Sequence, residues 1–289
     1  MPSLISATPP GFAAQIAMVA RDFDPISLKD VLDALDDPRR LPRRAVLVTF
    51  DDGYADFASN AWPVLRAASV PATLFVATGF TADPSMRFWW DRVWSAVHDS
   101  DGRTLETPIG ALPTGADQAG ATVARLRAWL KDLDHDALLA EVDRIVAELD
   151  GGRVDAPPPA VLGWDDLRRL ASEGVTLAPH TRSHPLLDRV AVDRAVEEIQ
   201  GSYEDLERET GSIAAPSRVL AYPSGAHGGS AVEAVRRAGM ELAMTTHRGG
   251  NDLRHADRLR LRRINVGGRA AVPLIRAQLA WAATLDVVR

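Results

Sequence analysis

The chain contains no cysteine in 289 residues, which excludes disulfides and thiolate metal ligands and leaves His, Asp and Glu as the only strong ligand types. An excess of positive charge is also missing. The 33 basic residues are spread among 39 acidic ones for a formal net charge of −6, so nothing in the composition fits a nucleic-acid partner. Long apolar runs are absent too. Met1–Ala20 has no basic leader and no continuous apolar stretch beyond a few residues, so it reads as neither a secretory signal nor a membrane span. The expectation is a cytoplasmic protein as the sequence is written, with a lost upstream strand or targeting segment left open because the first strand pattern begins only at Ala45. There are no internal repeats, and low complexity is confined to the loop near Gly115. Oligomeric state is not legible.

What is present is an alternation of buried-strand and helix patterns that a single α/β barrel of ordinary size would accommodate. Ala45–Phe50 is mostly apolar, as a strand buried on both faces should be, and stops abruptly at Asp51. Helix patterns at Phe12–Ala20 and Ser27–Leu35 precede it. A helix pattern over Ala55–Ala68 and a strand at Ala72–Val76 complete a β-α-β unit. From Thr81 to Pro159 the pattern changes to an aromatic segment, a Gly/Pro/Thr loop over Thr107–Gly120, and helical periodicity over Val123–Leu149. This reads as a helical insertion at about 81–160 within one domain spanning 1–289. The barrel pattern resumes with a helix at Trp164–Glu173, a strand at Gly174–Ala178 and a helix at Asp193–Thr210. Strands at Ser217–Tyr222, Glu241–Thr245 and Leu259–Val266 follow, with helices at Ser230–Ala238 and Val272–Ala283.

Three strand runs end in polar clusters: Asp51-Asp52-Gly53-Tyr54, His180-Thr181-Arg182-Ser183-His184, and Tyr222-Pro223-Ser224-Gly225. Chemistry in α/β folds gathers at the carboxyl ends of parallel strands, so these clusters are expected to converge. His180 and His184 are four apart, but Pro185 biases His184 out of the α region and places the pair on a turn. Two neutral imidazoles and one carboxylate make the three-ligand set of a catalytic zinc, with a fourth position open to water. Of the adjacent carboxylates, one ligates and the other takes a proton from that water. Ser224 offers a backbone amide to a developing oxyanion, against the plainer reading of an ordinary β-turn. Trp90, Val93, Trp94 and Val97 share a helical face that packs inward, the sharper alternative being aromatic stacking on a sugar ring. His98, His135 and His255 stand among polar neighbours and read as surface residues. His227 and His247 follow strand ends and stay open as site residues.

The Thr-Phe-Asp-Asp-Gly-Tyr run at 49–54 and the His-Thr-Arg-Ser-His run at 180–184 resemble the first two motifs of the polysaccharide deacetylases, a carbohydrate esterase family, over roughly Phe12–Val266. The resemblance implies a distorted (β/α)7 barrel that hydrolyses the acetamide of N-acetylated sugars. It implies Asp51 as catalytic base, with Asp52, His180 and His184 holding a divalent metal, usually Zn2+. Tyr54, Tyr222, Pro223, Gly225 and Trp90 are candidate substrate contacts. The chain departs from the family at two places: Ala221 stands where the third motif usually carries a base-orienting arginine, and the late general-acid histidine is absent from Leu259–Val266. Similar losses occur in the branch acting on exopolysaccharides. His247 is then the candidate acid, with His227 beside it. Two alternatives remain: a degenerate carbohydrate binder, and a metal hydrolase of a non-sugar amide or O-acetyl ester.

Overall fold

The computed structural model describes residues 7–83, 85–150, 161–268 and 270–285. They form two compact units: one is the segment Pro84–Pro159, and the other combines the chain before it with Ala160–Arg289.

The larger unit is α/β. Its described residues open with helix α1 (Pro9–Asp22), capped by the Thr8 hydroxyl accepting from the Gly11 amide, then strand β1 (Asp24–Ile26) and helix α2 (Leu28–Asp33). Ser27 and Asp30 close α2 with a reciprocal capping box. The first strand among the described residues is therefore β1 and not the run at Ala45. It pairs in parallel with β2 (Ala45–Leu47), Ile26 opposite Leu47. Three residues between two helices carry too little periodicity to be read as a strand.

After Val48 the chain continues as β3 (Thr49–Phe50), a π-helical turn (Phe57–Ala61), α3 (Trp62–Ala67), β4 (Thr73–Val76) and α4 (Thr78–Ala82). Residues of β2 and β3 are half-buried and not enclosed on both faces as their sequence predicts. Val46 packs outward with residues of α1 while Leu47 packs inward.

Beyond the insertion come α8 (Trp164–Ser172), β7 (Thr176–Pro179), α9 (Val192–Thr210), β8 (Val219–Ala221), α10 (Gly229–Arg237), β9 (Leu242–Arg248), β10 (Leu261–Arg263) and α11 (Val272–Leu285). All ladders in this unit are parallel: β3-β4-β7, β10-β9-β8 and β1-β2. The Ser217 amide donates to Leu177 O at 3.1 Å, which ties the β7 and β8 groups together. Among the described residues these ladders do not close into one continuous barrel. One apolar cluster nonetheless gathers Ile26, Leu47, Phe75, Ala178, Ala221, Met244 and Leu261, drawn from β1, β2, β4, β7, β8, β9 and β10. No helix among the described residues is long and apolar enough to cross a membrane.

The smaller unit holds α5 (Trp89–His98), a hairpin of β5 (Thr104–Leu105) and β6 (Leu112–Pro113), α6 (Ala119–Leu130) and α7 (His135–Asp150). The predicted Gly/Pro/Thr loop thus contains a strand. His135 is also a correction, since it is 5 % exposed. Its neighbours Asp134 and Asp136 are what make the segment look like surface, yet at the first residue of α7 the His side chain turns inward.

Candidate active site

The polar turn after β3 owes its shape to two consecutive left-handed residues, Asp52 at φ 73° and Gly53 at φ 82°. Aspartate tolerates that region better than most side chains, and glycine adopts it freely. The Gly53 amide turns back on Asp51 O at 2.9 Å, and Gly53 O accepts from the Leu162 amide at 2.8 Å. Tyr54 bridges Val161. The chain returning from the insertion therefore straps the turn that carries both carboxylates.

The second turn, after β7, delivers His180 and His184. His180 Nδ1 lies 2.7 Å from Ala221 O. A carbonyl only accepts, so Nδ1 donates and the lone pair of the neutral ring sits on Nε2. Nε2 of His180 and Nε2 of His184 lie 3.4 and 3.3 Å from the same Asp52 oxygen. Ligand atoms about 2.1 Å from a tetrahedral zinc stand about 3.4 Å apart, so the two sides of the triangle that meet at Asp52 have the length a metal site needs. The three ligand atoms all fall within 4.8 Å of one another. The donor set fits a divalent ion such as Zn2+.

Charge in the site is polarised accordingly. Burial would raise the Asp52 carboxyl, but its contacts with the His180 and His184 imidazoles outweigh it and hold the group well below the usual carboxylate range. Burial also drives both imidazoles toward neutrality. It prevails at His184, which is lowered, whereas the hydrogen bond to Asp52 and the charges of Asp51 and Asp52 raise His180.

Asp51 is placed differently. Its side chain is 28 % exposed and takes a bidentate contact from Arg263 on β10, Nη1 to Oδ1 and Nη2 to Oδ2, both 2.7 Å. Arg263 Nε also donates to Thr245 O at 2.9 Å, which fixes the plane of the guanidinium. Burial would raise Asp51, but Arg263 and His180 together hold it below its ordinary value. Arg263 is the functional residue that sequence reasoning missed. Its run, Leu259–Val266, reads only as a last strand, and no local spacing ties it to a residue 212 positions earlier.

The β8 end supplies Tyr222-Pro223-Ser224-Gly225. Ser224 is exposed and left-handed at φ 54°, and Gly225 is buried at φ 77°. A Cβ on Gly225 would lie 2.0 Å from Thr246 Oγ1, so the turn admits no side chain there. The Tyr222 side chain is fully enclosed in the core, and its hydroxyl donates to Leu259 O at 2.9 Å. Any contact it makes with a ligand falls to its backbone. His227 donates from Nδ1 to Gly225 O at 2.6 Å, and its ring meets that of exposed His247 edge-on at 4.5 Å. Trp90, in the smaller unit, is buried and stacked on Phe88 at 4.5 Å and 8°. His98 and His255 lie at the surface of their units.

A family model for polysaccharide deacetylase matches residues 39–243. Over 50 residues the chain is 38 % identical to the poly-beta-1,6-N-acetyl-D-glucosamine N-deacetylase of Escherichia coli K12, a match covering 17 % of this chain and 7 % of that protein. Among solved structures, the Streptococcus pyogenes deacetylase PplD, in complex with acetate, superposes with a TM-score of 0.62 at 18 % identity, over 94 % of this chain and 87 % of its own. IcaB from Ammonifex degensii gives a TM-score of 0.58 at 19 % identity, over 96 % and 89 %. At that identity the superpositions speak for the fold, while the family match spans both carboxylates and both histidines. The chain belongs to the polysaccharide deacetylase family.

Proposed function

We propose that the protein is a metal-dependent hydrolase that removes N-acetyl groups from an amino sugar in a polysaccharide or its precursor. The observation that carries this reading is the convergence of His180 Nε2 and His184 Nε2 on one Asp52 oxygen, at 3.4 and 3.3 Å, beside an arginine-held Asp51. The order of parallel strands, with side chains of β1, β2, β4 and β7 to β10 in one core, supports the family's distorted (β/α)7 barrel, built as one domain with the insertion at about 81–160.

A divalent ion held by Asp52, His180 and His184 would supply Lewis acidity, polarising the acetyl carbonyl and lowering the pKa of water toward about 7. Asp51, kept ionised by Arg263, accepts a proton from the attacking water at a carboxylate oxygen. The fork of Arg263 occupies both oxygens in the carboxylate plane and so sets the direction from which a third partner approaches. The Ser224 amide, on a turn locked by Gly225 against Thr246, is a donor for the oxyanion. His247, paired with His227, protonates the leaving amine. Tyr54, the backbone of Tyr222, Pro223 and Gly225 are the assigned sugar contacts, whereas the enclosed stacking of Trp90 favours a packing role.

Arg263 weakens the case for a non-hydrolysing binder, since the base here has an orienting arginine despite Ala221. The name of the E. coli relative makes β-1,6-linked N-acetylglucosamine oligomers the first substrates to try. Acetate release from such oligomers and from N-acetylated precursors is measured with zinc-loaded protein, a chelated sample and Asp51→Asn. Chelator-sensitive, Asp51-dependent release is expected. Equal release by the chelated sample or by Asp51→Asn overturns the assignment, and release from O-acetyl but not matched N-acetyl compounds reassigns the protein as an esterase.

A further inference from the structure

The turn that carries both histidine ligands is strained, and the residues that hold it are not part of the chemistry described above. Thr181 (φ 67°) and His184 (φ 56°) are both left-handed without being glycine. Side chains rarely adopt that region unless the surroundings impose it. Between them, the amides of Arg182 and Ser183 point at one acceptor, Oε2 of Glu198, at 2.9 and 2.8 Å. The Ser183 hydroxyl donates to the other carboxylate oxygen at 2.6 Å. Successive amides facing one anion form a backbone nest, and Glu198 is the anion in it.

Glu198 lies on α9, and the same face grips the turn twice more. Arg182 donates from Nε and Nη2 to the two oxygens of Asp205, each at 2.8 Å. Its guanidinium passes so close to Gly201 that a Cβ there would lie 2.3 Å from Arg182 Cζ. The residues at 198, 201 and 205 are spaced three and four apart, which puts them on one side of a helix. Across the turn, the Thr78 and Gly79 amides at the start of α4 donate to Thr181 O and Arg182 O at 3.1 and 3.0 Å. Thr78 Oγ1 donates to Asp205 at 2.9 Å. The backbone between His180 and His184 is thus clamped between two helices, and the charged partner of its amides is Glu198.

We infer that Glu198 is a positioning residue for the metal: its carboxylate holds the 180–184 turn in the strained form that aims both Nε2 atoms at Asp52, and so sets metal affinity. The inference rests on the metal reading of Asp52, His180 and His184 and not on the identity of the sugar.

The test is zinc affinity of the full chain, stripped of metal and titrated in competition with a chromophoric chelator. Glu198→Ala is expected to weaken zinc binding about 10- to 100-fold, the range for partners that orient metal ligands. Glu198→Gln, which keeps an acceptor but no charge, is expected to fall between that variant and wild type, and it carries the comparison if the alanine variant does not fold. The control is Glu173→Ala, which removes the acceptor of Trp62 Nε1 and of Arg169, away from the turn. It is expected to lower the thermal midpoint while leaving zinc affinity within about twofold. Zinc binding by Glu198→Ala within twofold of wild type, or an equal loss in Glu173→Ala, overturns the inference. A wild-type protein that binds no zinc overturns it together with the metal reading. Affinity is read without substrate, so failure to find a deacetylated sugar leaves this result intact.

Discussion

At the ends of β3 and β7 the polar side chains are braced on several sides, whereas at the ends of β8 and β9 they are largely open. Asp51 is forked by Arg263, Asp52 faces two imidazoles, His180 is anchored to Ala221 O, and the turn between the histidines is clamped. Ser224 and His247 are exposed, and His227 has one ring nitrogen engaged by Gly225 O. The difference teaches where preorganisation has been invested. Groups that carry charge in a partly enclosed site must be compensated before substrate arrives, because an unpaired charge there is costly. A group that delivers a proton to a departing amine can stay in contact with water. The proposed base and metal ligands therefore sit in a braced frame, and the proposed acid does not.

The comparison breaks most sharply at Asp52. Asp52→Ala is expected to abolish zinc binding by calorimetry, since it removes the one atom both imidazoles face; retained tight binding would move the metal elsewhere. Next comes Asp51→Asn, expected to keep zinc and lower turnover about 10³- to 10⁴-fold, the upper part of the range for a general base. Arg263→Met is expected to cost about 100-fold in kcat with little change in KM, as misplacement of a reacting group does, and Arg263→Lys to recover part of it. A KM effect alone would make Arg263 a substrate contact. On the open side, His247→Asn is expected to lower amide turnover only about tenfold, below the usual contribution of an enclosed acid, because water substitutes. Its effect on an O-acetyl ester should be smaller still, as an alkoxide needs less help to leave than an amine. A loss as large as that of Asp51→Asn would show that the open side is organised for the reaction as tightly as the braced one.

A separate effect concerns stability. Arg182, Thr78 and Arg208 outweigh burial and hold Asp205 below its ordinary range. Its contribution is therefore complete above the ordinary carboxylate value and is lost as pH falls through the lowered one. Asp205→Asn is expected to cost about 2 kcal/mol in urea unfolding near neutral pH, with the gap to wild type closing on acidification toward pH 3. A gap constant with pH would mean that Asp205 acts by shape and not by charge.

The braced side was also the legible one. The two carboxylates and two histidines sit in short contiguous motifs at the ends of apolar runs, and strand periodicity together with the preference for carboxyl ends is enough to bring them together. Arg263 was not legible, because its partner lies on a distant strand and an arginine in a terminal strand has no local signature. Glu198 was hidden for a related reason: it is one of many charged residues on α9, and only the fold turns it toward Arg182 and Ser183. The strand at Asp24–Ile26 and the hairpin strand at Leu112–Pro113 escaped because two or three residues cannot display a period. His135 misled because its acidic neighbours in sequence are not its neighbours in space.

The Asp51–Arg263 fork also has a temporal side. A nascent chain emerges amino end first, so Asp51, Asp52 and both histidines leave the ribosome well before β10. A chain halted before Arg263 would hold the proposed ligand set and the proposed proton acceptor, yet Asp51 would lack the cation that compensates it. The strand that carries Arg263 thus completes the surroundings of a carboxylate made 212 residues earlier.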